Sequence, residues 1–160
     1  MASFKVNLPS SDNKIIVYSI PQLLTIMTWQ QLQAYESAWP QLQSHGIDRM
    51  YCINSNSQSR LLEYYAGKLS PSTQALPDLD QAILGSIKQH YSIDKELHSL
   101  AKYWQYALLV ERGEPIKLFS NPIKETMPLR IVKSRLYQYH GVGPDSVLKY
   151  LTSQEEISKI

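Results

Sequence analysis

The chain has 160 residues, 43% of them hydrophobic and 19% charged, a balance that excludes a disordered tail and fits one domain over residues 1–160. Sixteen basic against fourteen acidic residues leave a net charge of +2, too mild to demand nucleic acid or anionic lipid as a partner. The single cysteine, Cys52, excludes an intrachain disulfide framework, a paired-cysteine redox motif and a multi-cysteine zinc site.

Lys14 to Ile20 is a short β-branched run ended by Pro21, and its continuous apolar character predicts a strand buried on both faces. Thr28 is expected to cap a helix whose Leu32, Tyr35, Trp39 and Leu42 fall on one stripe. Pro40 is expected to kink that helix and Gly46 to stop it. Ile47 to Ile53 then reads as a second strand, completing a βαβ unit. After a turn at Asn54 to Ser57, a second helix runs from Ser59 through Tyr65 and is expected to close at Gly67. A faint third strand covers Gln74 to Leu76, and Asp78 or Asp80 is expected to cap a helical stretch through Ala82, Ile83, Ile87 and Tyr91.

The second half changes character. Tyr103 to Val110 predicts a strand, Glu111 to Glu114 a turn, and Ile116 to Phe119 a return strand, together an antiparallel hairpin. Arg130 to Tyr139 reads as a further strand or an extended loop. Gly143-Pro144-Asp145 opens a final helix, with proline suited to the first helical position. Residues 152–160 are polar and are expected to fray. The sum is an α/β fold, a thioredoxin-like three-layer sandwich with a mixed central sheet. The longest aliphatic runs, at Ile15 to Val17 and Ala107 to Val110, fall far short of the roughly 20 residues that span a bilayer. A soluble, cytoplasmic protein without a signal peptide is the expectation.

Five stretches, in order, resemble the type-5 peroxiredoxins of the thioredoxin-fold superfamily, from about Lys14 to Leu151. Lys14 to Pro21 resembles the first core strand and its closing proline. Leu42 to Asn56, containing His45-Gly46-Ile47-Asp48 and Cys52-Ile53-Asn54-Ser55-Asn56, is similar to the family's helix end, glycine turn and cysteine-bearing strand end. Leu76-Pro77-Asp78, Trp104 to Val110 with Gly113, and Val147 to Leu151 are similar to its aspartate loop, hairpin and terminal helix. The family's catalytic signature is Pro-x-x-x-Thr-x-x-Cys, and here Pro21, Thr25 and Thr28 fall at that spacing. Thr28 therefore stands at the peroxidatic cysteine position, and Ile26 replaces the proline two residues before it. Gln105 stands where the family places an arginine, just before Tyr106-Ala107.

These departures bear on function. Peroxide reduction needs a nucleophilic thiolate whose pKa is lowered by a helix N-terminus and a cation. A threonine hydroxyl cannot be oxidised and recycled as a thiol can, and a glutamine carries no charge to stabilise an anion. The expectation is a peroxiredoxin-like protein without peroxidase activity that acts as a binding or interaction module, with no cofactor. The alternative is an atypical thiol-dependent oxidoreductase using Cys52 or a bound thiol. If the fold holds, Thr25, Thr28 and Gln105 form a neutral pocket, either water-filled or open to a small polar or anionic ligand.

His45, His90, His98 and His140 are scattered and predict no metal site. The 124–140 segment interleaves Lys124, Arg130, Lys133 and Arg135 with Tyr137 and Tyr139, a pattern that weak nucleic-acid binding would share with a solvated strand edge. The edge reading is preferred at this net charge. Eleven tyrosines and three tryptophans suit interfaces as well as cores; the resemblance implies a homodimer, and the interaction-module reading adds an unknown protein partner.

Overall fold

The run Ile15-Ile16-Val17-Tyr18 becomes the middle strand of a five-stranded sheet, which is why it shows no polar alternation. The computed structural model describes residues 14–20, 26–54, 59–77, 87, 89, 105–120 and 142–158. Its strands are β1 (Lys14–Ser19), β2 (Arg49–Asn54), β3 (Thr73–Pro77), β4 (Tyr106–Glu111) and β5 (Glu114–Ser120), in the spatial order β3-β2-β1-β4-β5. The β1–β2 and β2–β3 pairs are parallel, whereas β1–β4 and β4–β5 are antiparallel. This is the mixed sheet that the sequence predicts.

Three helices are described: α1 (Ile26–Ser44), α2 (Ser59–Leu69) and α3 (Pro144–Ser158). Ile16, Tyr18, Met50, Cys52, Ala107 and Leu109 on one sheet face form a single core cluster with Leu32, Tyr35 and Leu42 of α1. Leu62 and Ala66 of α2 and Val147 and Leu151 of α3 complete it. Burying each large apolar side chain there contributes about 1.5–3 kcal/mol. On the opposite face Ile15, Val17, Tyr51, Ile53, Leu108 and Val110 are also buried, as is Ile87, a helical residue.

Turn chemistry sets the joints. Gly46, at φ +90°, ends α1 with the N–H of Ile47 donating to Leu42 O and that of Gly46 to Gln43 O. These two bonds define a Schellman cap, and Ile47 is buried alongside Leu42 in the core. The backbone of Asp48 then donates to Lys14 O, while its carboxylate accepts from the Lys14 N–H, pinning the start of β1. Arg112 (φ 53°) and Gly113 (φ 83°) both adopt the left-handed conformation that a two-residue β4–β5 hairpin requires.

Several boundaries differ from expectation. Helix α1 begins at Ile26, so Thr28 lies inside the first turn and is not the N-cap. The buried stripe that begins at Leu32 identifies the helix but leaves its start unmarked. Helix α2 runs through Gly67 to Leu69, because Ala66 is buried and Leu69 packs on the core beyond it. That packing offsets the roughly 1 kcal/mol a helical glycine costs. Helix α3 runs to Ser158, and Glu155 Oε1 lies 2.7 Å from His45 Nδ1. Pro144 opens α3 as predicted. Strand β2 starts at Arg49 and β4 at Tyr106, each later than the sequence suggested, while β5 begins earlier, at Glu114. The expected elements at 78–91 (apart from Ile87 and Gln89) and 130–139 lie outside the described residues.

A polar chain runs from the α2–β3 turn into the core. Glu36 of α1 accepts from Ser70 Oγ at 3.1 Å, from Ser72 N at 3.1 Å and from Ser72 Oγ at 3.0 Å. Ser70 has one hydroxyl proton, and it goes to the carboxylate. Thr73 must therefore donate to Ser70 across their 2.6 Å contact, and Tyr18 must donate to Thr73 across 2.8 Å. The Tyr18 ring stacks on Tyr35 with centroids 3.9 Å apart. One carboxylate thus orients hydroxyls on three elements. Glu36→Gln replaces an acceptor-only group with one carrying an amide donor, and should cost about 1–3 kcal/mol by urea denaturation; unchanged stability would refute this role.

Candidate functional site

Topology places the candidate site at one edge of the sheet. Five residues connect Ile20, just past β1, to the start of α1, and α1 then returns to the beginning of the parallel strand β2. The first turn of α1 therefore lies near the C-terminal end of β1, within the reach of a short link. Strand β4 is antiparallel to β1, so its N-terminal end shares that edge. Thr28 is the third residue of α1, and Gln105 immediately precedes β4. Pro21 and Thr25 lie outside the described residues.

Gln105 is 3% exposed and belongs to a buried network. The Ser19 hydroxyl donates to Gln105 Oε1 at 2.9 Å and accepts from the Tyr106 N–H at 2.8 Å. These bonds sit one position beyond Tyr18 and Ala107, the last paired residues of β1 and β4. Each bond joins neutral groups. These bonds present neutral hydrogen-bonding atoms, and a Gln105 amide carries no charge of the kind that stabilises a thiolate or a polarised O–O bond.

Beside Thr28, the Trp29 ring lies 5.2 Å from the Tyr65 ring, and Tyr64 packs edge-on against Tyr65 with Lys68 Nζ over its face. The Trp29 indole N–H is buried without a hydrogen-bond partner. At the other end of the first turns of α1, the Tyr35 hydroxyl donates to Val142 O at 2.7 Å and the Gln31 amide does so at 3.3 Å, anchoring the start of α3. Sequence reading singled out neither Ser19 nor this anchoring, because the partners are separated by 86 to 111 positions.

Cys52 lies on β2 in the core between sheet and helices, opposite Tyr18 on β1 and Ala75 on β3. It has 0% exposure, and burial pushes its thiol up from about 9 to about 12. The same desolvation raises the Tyr18 and Tyr35 hydroxyls well above the usual phenol value. Among the described residues no group of three potential metal ligands occurs, and no helix is long and apolar enough to cross a membrane. His45 faces Glu155; His90, His98, His140 and the 124–140 segment lie outside the described residues.

No protein-family model matches the chain. A curated relative, the hybrid peroxiredoxin hyPrx5 of Haemophilus influenzae, is 23% identical over 151 residues, covering 92% of this chain and 58% of that protein. The chain thus spans less than two thirds of that relative's length. Among solved structures, reduced Prx3 of Vibrio vulnificus in complex with hydrogen peroxide superposes with a TM-score of 0.62 at 14% identity, over 91% of this chain and 81% of the other. The Plasmodium falciparum antioxidant protein, a 1-Cys peroxiredoxin, gives 0.61 at 15% identity over 89% and 80%. A further peroxiredoxin structure gives 0.64 at 16% identity over 89% and 80%. The architecture is the thioredoxin fold in the form that these peroxiredoxins share.

The buried thiol has a pH signature. Its folded-state pKa is raised, so its contribution to stability is complete below the unfolded value of about 9 and is lost as pH climbs toward about 12. Cys52→Ala should flatten part of the stability loss over that window. In native protein the thiol should react with an aromatic disulfide reagent orders of magnitude more slowly than after denaturation. Equal rates in the two states would contradict the burial.

Proposed function

We propose that this chain is a distant peroxiredoxin homologue that has lost thiol-peroxidase chemistry and acts as a binding or interaction domain. In the peroxidase step a thiolate sulfur attacks the O–O bond, takes one oxygen to become a sulfenic acid, and releases water or an alcohol. The reaction needs sulfur at an accessible site where its negative charge is stabilised. The observation that carries the reading is the position of the chain's one thiol. Cys52 is fully buried and held protonated, while residue 28 in the first turn of α1 is threonine.

Gln105 supports the same reading, since a neutral amide stands immediately before β4 and is engaged by Ser19. The distant similarity to the Haemophilus influenzae hybrid peroxiredoxin supports common descent. A homodimer in the cytoplasm and a protein partner, or a small polar ligand at the sheet edge, belong to this proposal. The exposed Tyr64 beside Tyr65 and Trp29 is consistent with such contacts.

Peroxide consumption by the wild-type protein should equal the buffer blank with dithiothreitol, thioredoxin or glutaredoxin as reductant. Thr28→Cys with Gln105→Arg should gain measurable but partial peroxide reactivity, because the remaining groups around the helix entrance still differ. Robust wild-type turnover that Cys52→Ser abolishes would replace this proposal with a thiol-dependent oxidoreductase.

A further inference from the structure

We propose that Ser19 commits position 105 to a neutral hydrogen-bond acceptor, so that a cation is excluded there by the chain's own β1 terminus. The inference deepens the reading of a peroxidase-silent site and rests on it for its functional meaning. Its physical basis is separate. Ser19 and Gln105 are 7% and 3% exposed, so their polar atoms have little access to water. The single Ser19 hydroxyl proton has a defined destination, Gln105 Oε1, while the Ser19 oxygen receives the Tyr106 N–H.

An arginine at position 105 has donors only. The Ser19 hydroxyl would then lose the buried acceptor that satisfies it, and donors would face one another across a 2.9 Å contact. Rotating Ser19 so that it accepts from the guanidinium leaves its own proton unsatisfied. The cation would also enter a position that is almost wholly dehydrated, where loss of hydration is costly. A residue without a hydroxyl at position 19 removes the first conflict and frees space beside residue 105. Ser19 is therefore a specificity-determining residue for the chemistry allowed at this edge, acting through its partner.

A double-mutant cycle tests this. Gln105→Arg should lower the urea midpoint strongly in the wild-type background and much less in a Ser19→Ala background, a coupling of roughly tenfold in the folding equilibrium constant. If Gln105→Arg does not fold, Gln105→Met removes the same acceptor without adding charge, and its cost should likewise shrink when Ser19 is alanine. In the Thr28→Cys background, Ser19→Ala with Gln105→Arg should react with hydrogen peroxide faster than Gln105→Arg alone. Additive stability effects at the two positions would overturn the proposal, whatever the activity results. Peroxide turnover by wild-type protein would instead overturn the functional reading and leave the coupling standing.

Discussion

The dehydrated position of β1 at the centre of the sheet organises everything described around it. Its neighbours are β2 on one side and β4 on the other, and both of its faces are covered. A polar group on such a strand must find a partner within the protein, since water cannot reach it. Tyr18 solves this by donating to Thr73, the inner end of a hydroxyl chain that Glu36 orients from α1. Ser19 solves it by bridging Tyr106 and Gln105 where β1 and β4 part. Cys52, opposite Tyr18, has no such need, because an uncharged thiol packs as a small apolar group.

The same constraint separates fold from chemistry. The thioredoxin fold shared with the Vibrio vulnificus and Plasmodium falciparum peroxiredoxins places a helix start and a strand start at one sheet edge. That edge can serve peroxide chemistry only with sulfur at the helix start and charge close by. This chain has a threonine in the first turn of α1 and an amide before β4, and its one thiol lies in the dry layer. A scaffold held by apolar burial does not depend on which side chains occupy its edge.

Local pattern made some elements legible. The unbroken apolar run of β1, the glycine after α1, the Arg112-Gly113 turn and Pro144 at the head of α3 each carry their physical reason within a few residues. What escaped depends on distant partners. Neither the Ser19–Gln105 bond nor the hold of Glu36 on Ser70 and Ser72 leaves a periodic trace, since the partners meet only when the sheet assembles. Gly67 misled because glycine often closes helices, yet packing of Leu69 carries α2 past it. The extension of α3 to Ser158 was hidden by the polarity of a surface-facing turn. At the candidate site the residue types at 28 and 105 were readable, but the Ser19 hydroxyl that engages Gln105 was not.

Trapping with dimedone tests the central claim most directly, because the reagent reports sulfenic acid and Cys52 is the one cysteine that can form it. Native protein is treated with hydrogen peroxide and dimedone, and the Cys52 peptide is weighed by mass spectrometry. An unmodified thiol in native protein, with an adduct forming only after denaturation, is the predicted result. Rapid adduct formation on Cys52 in the folded protein would contradict it.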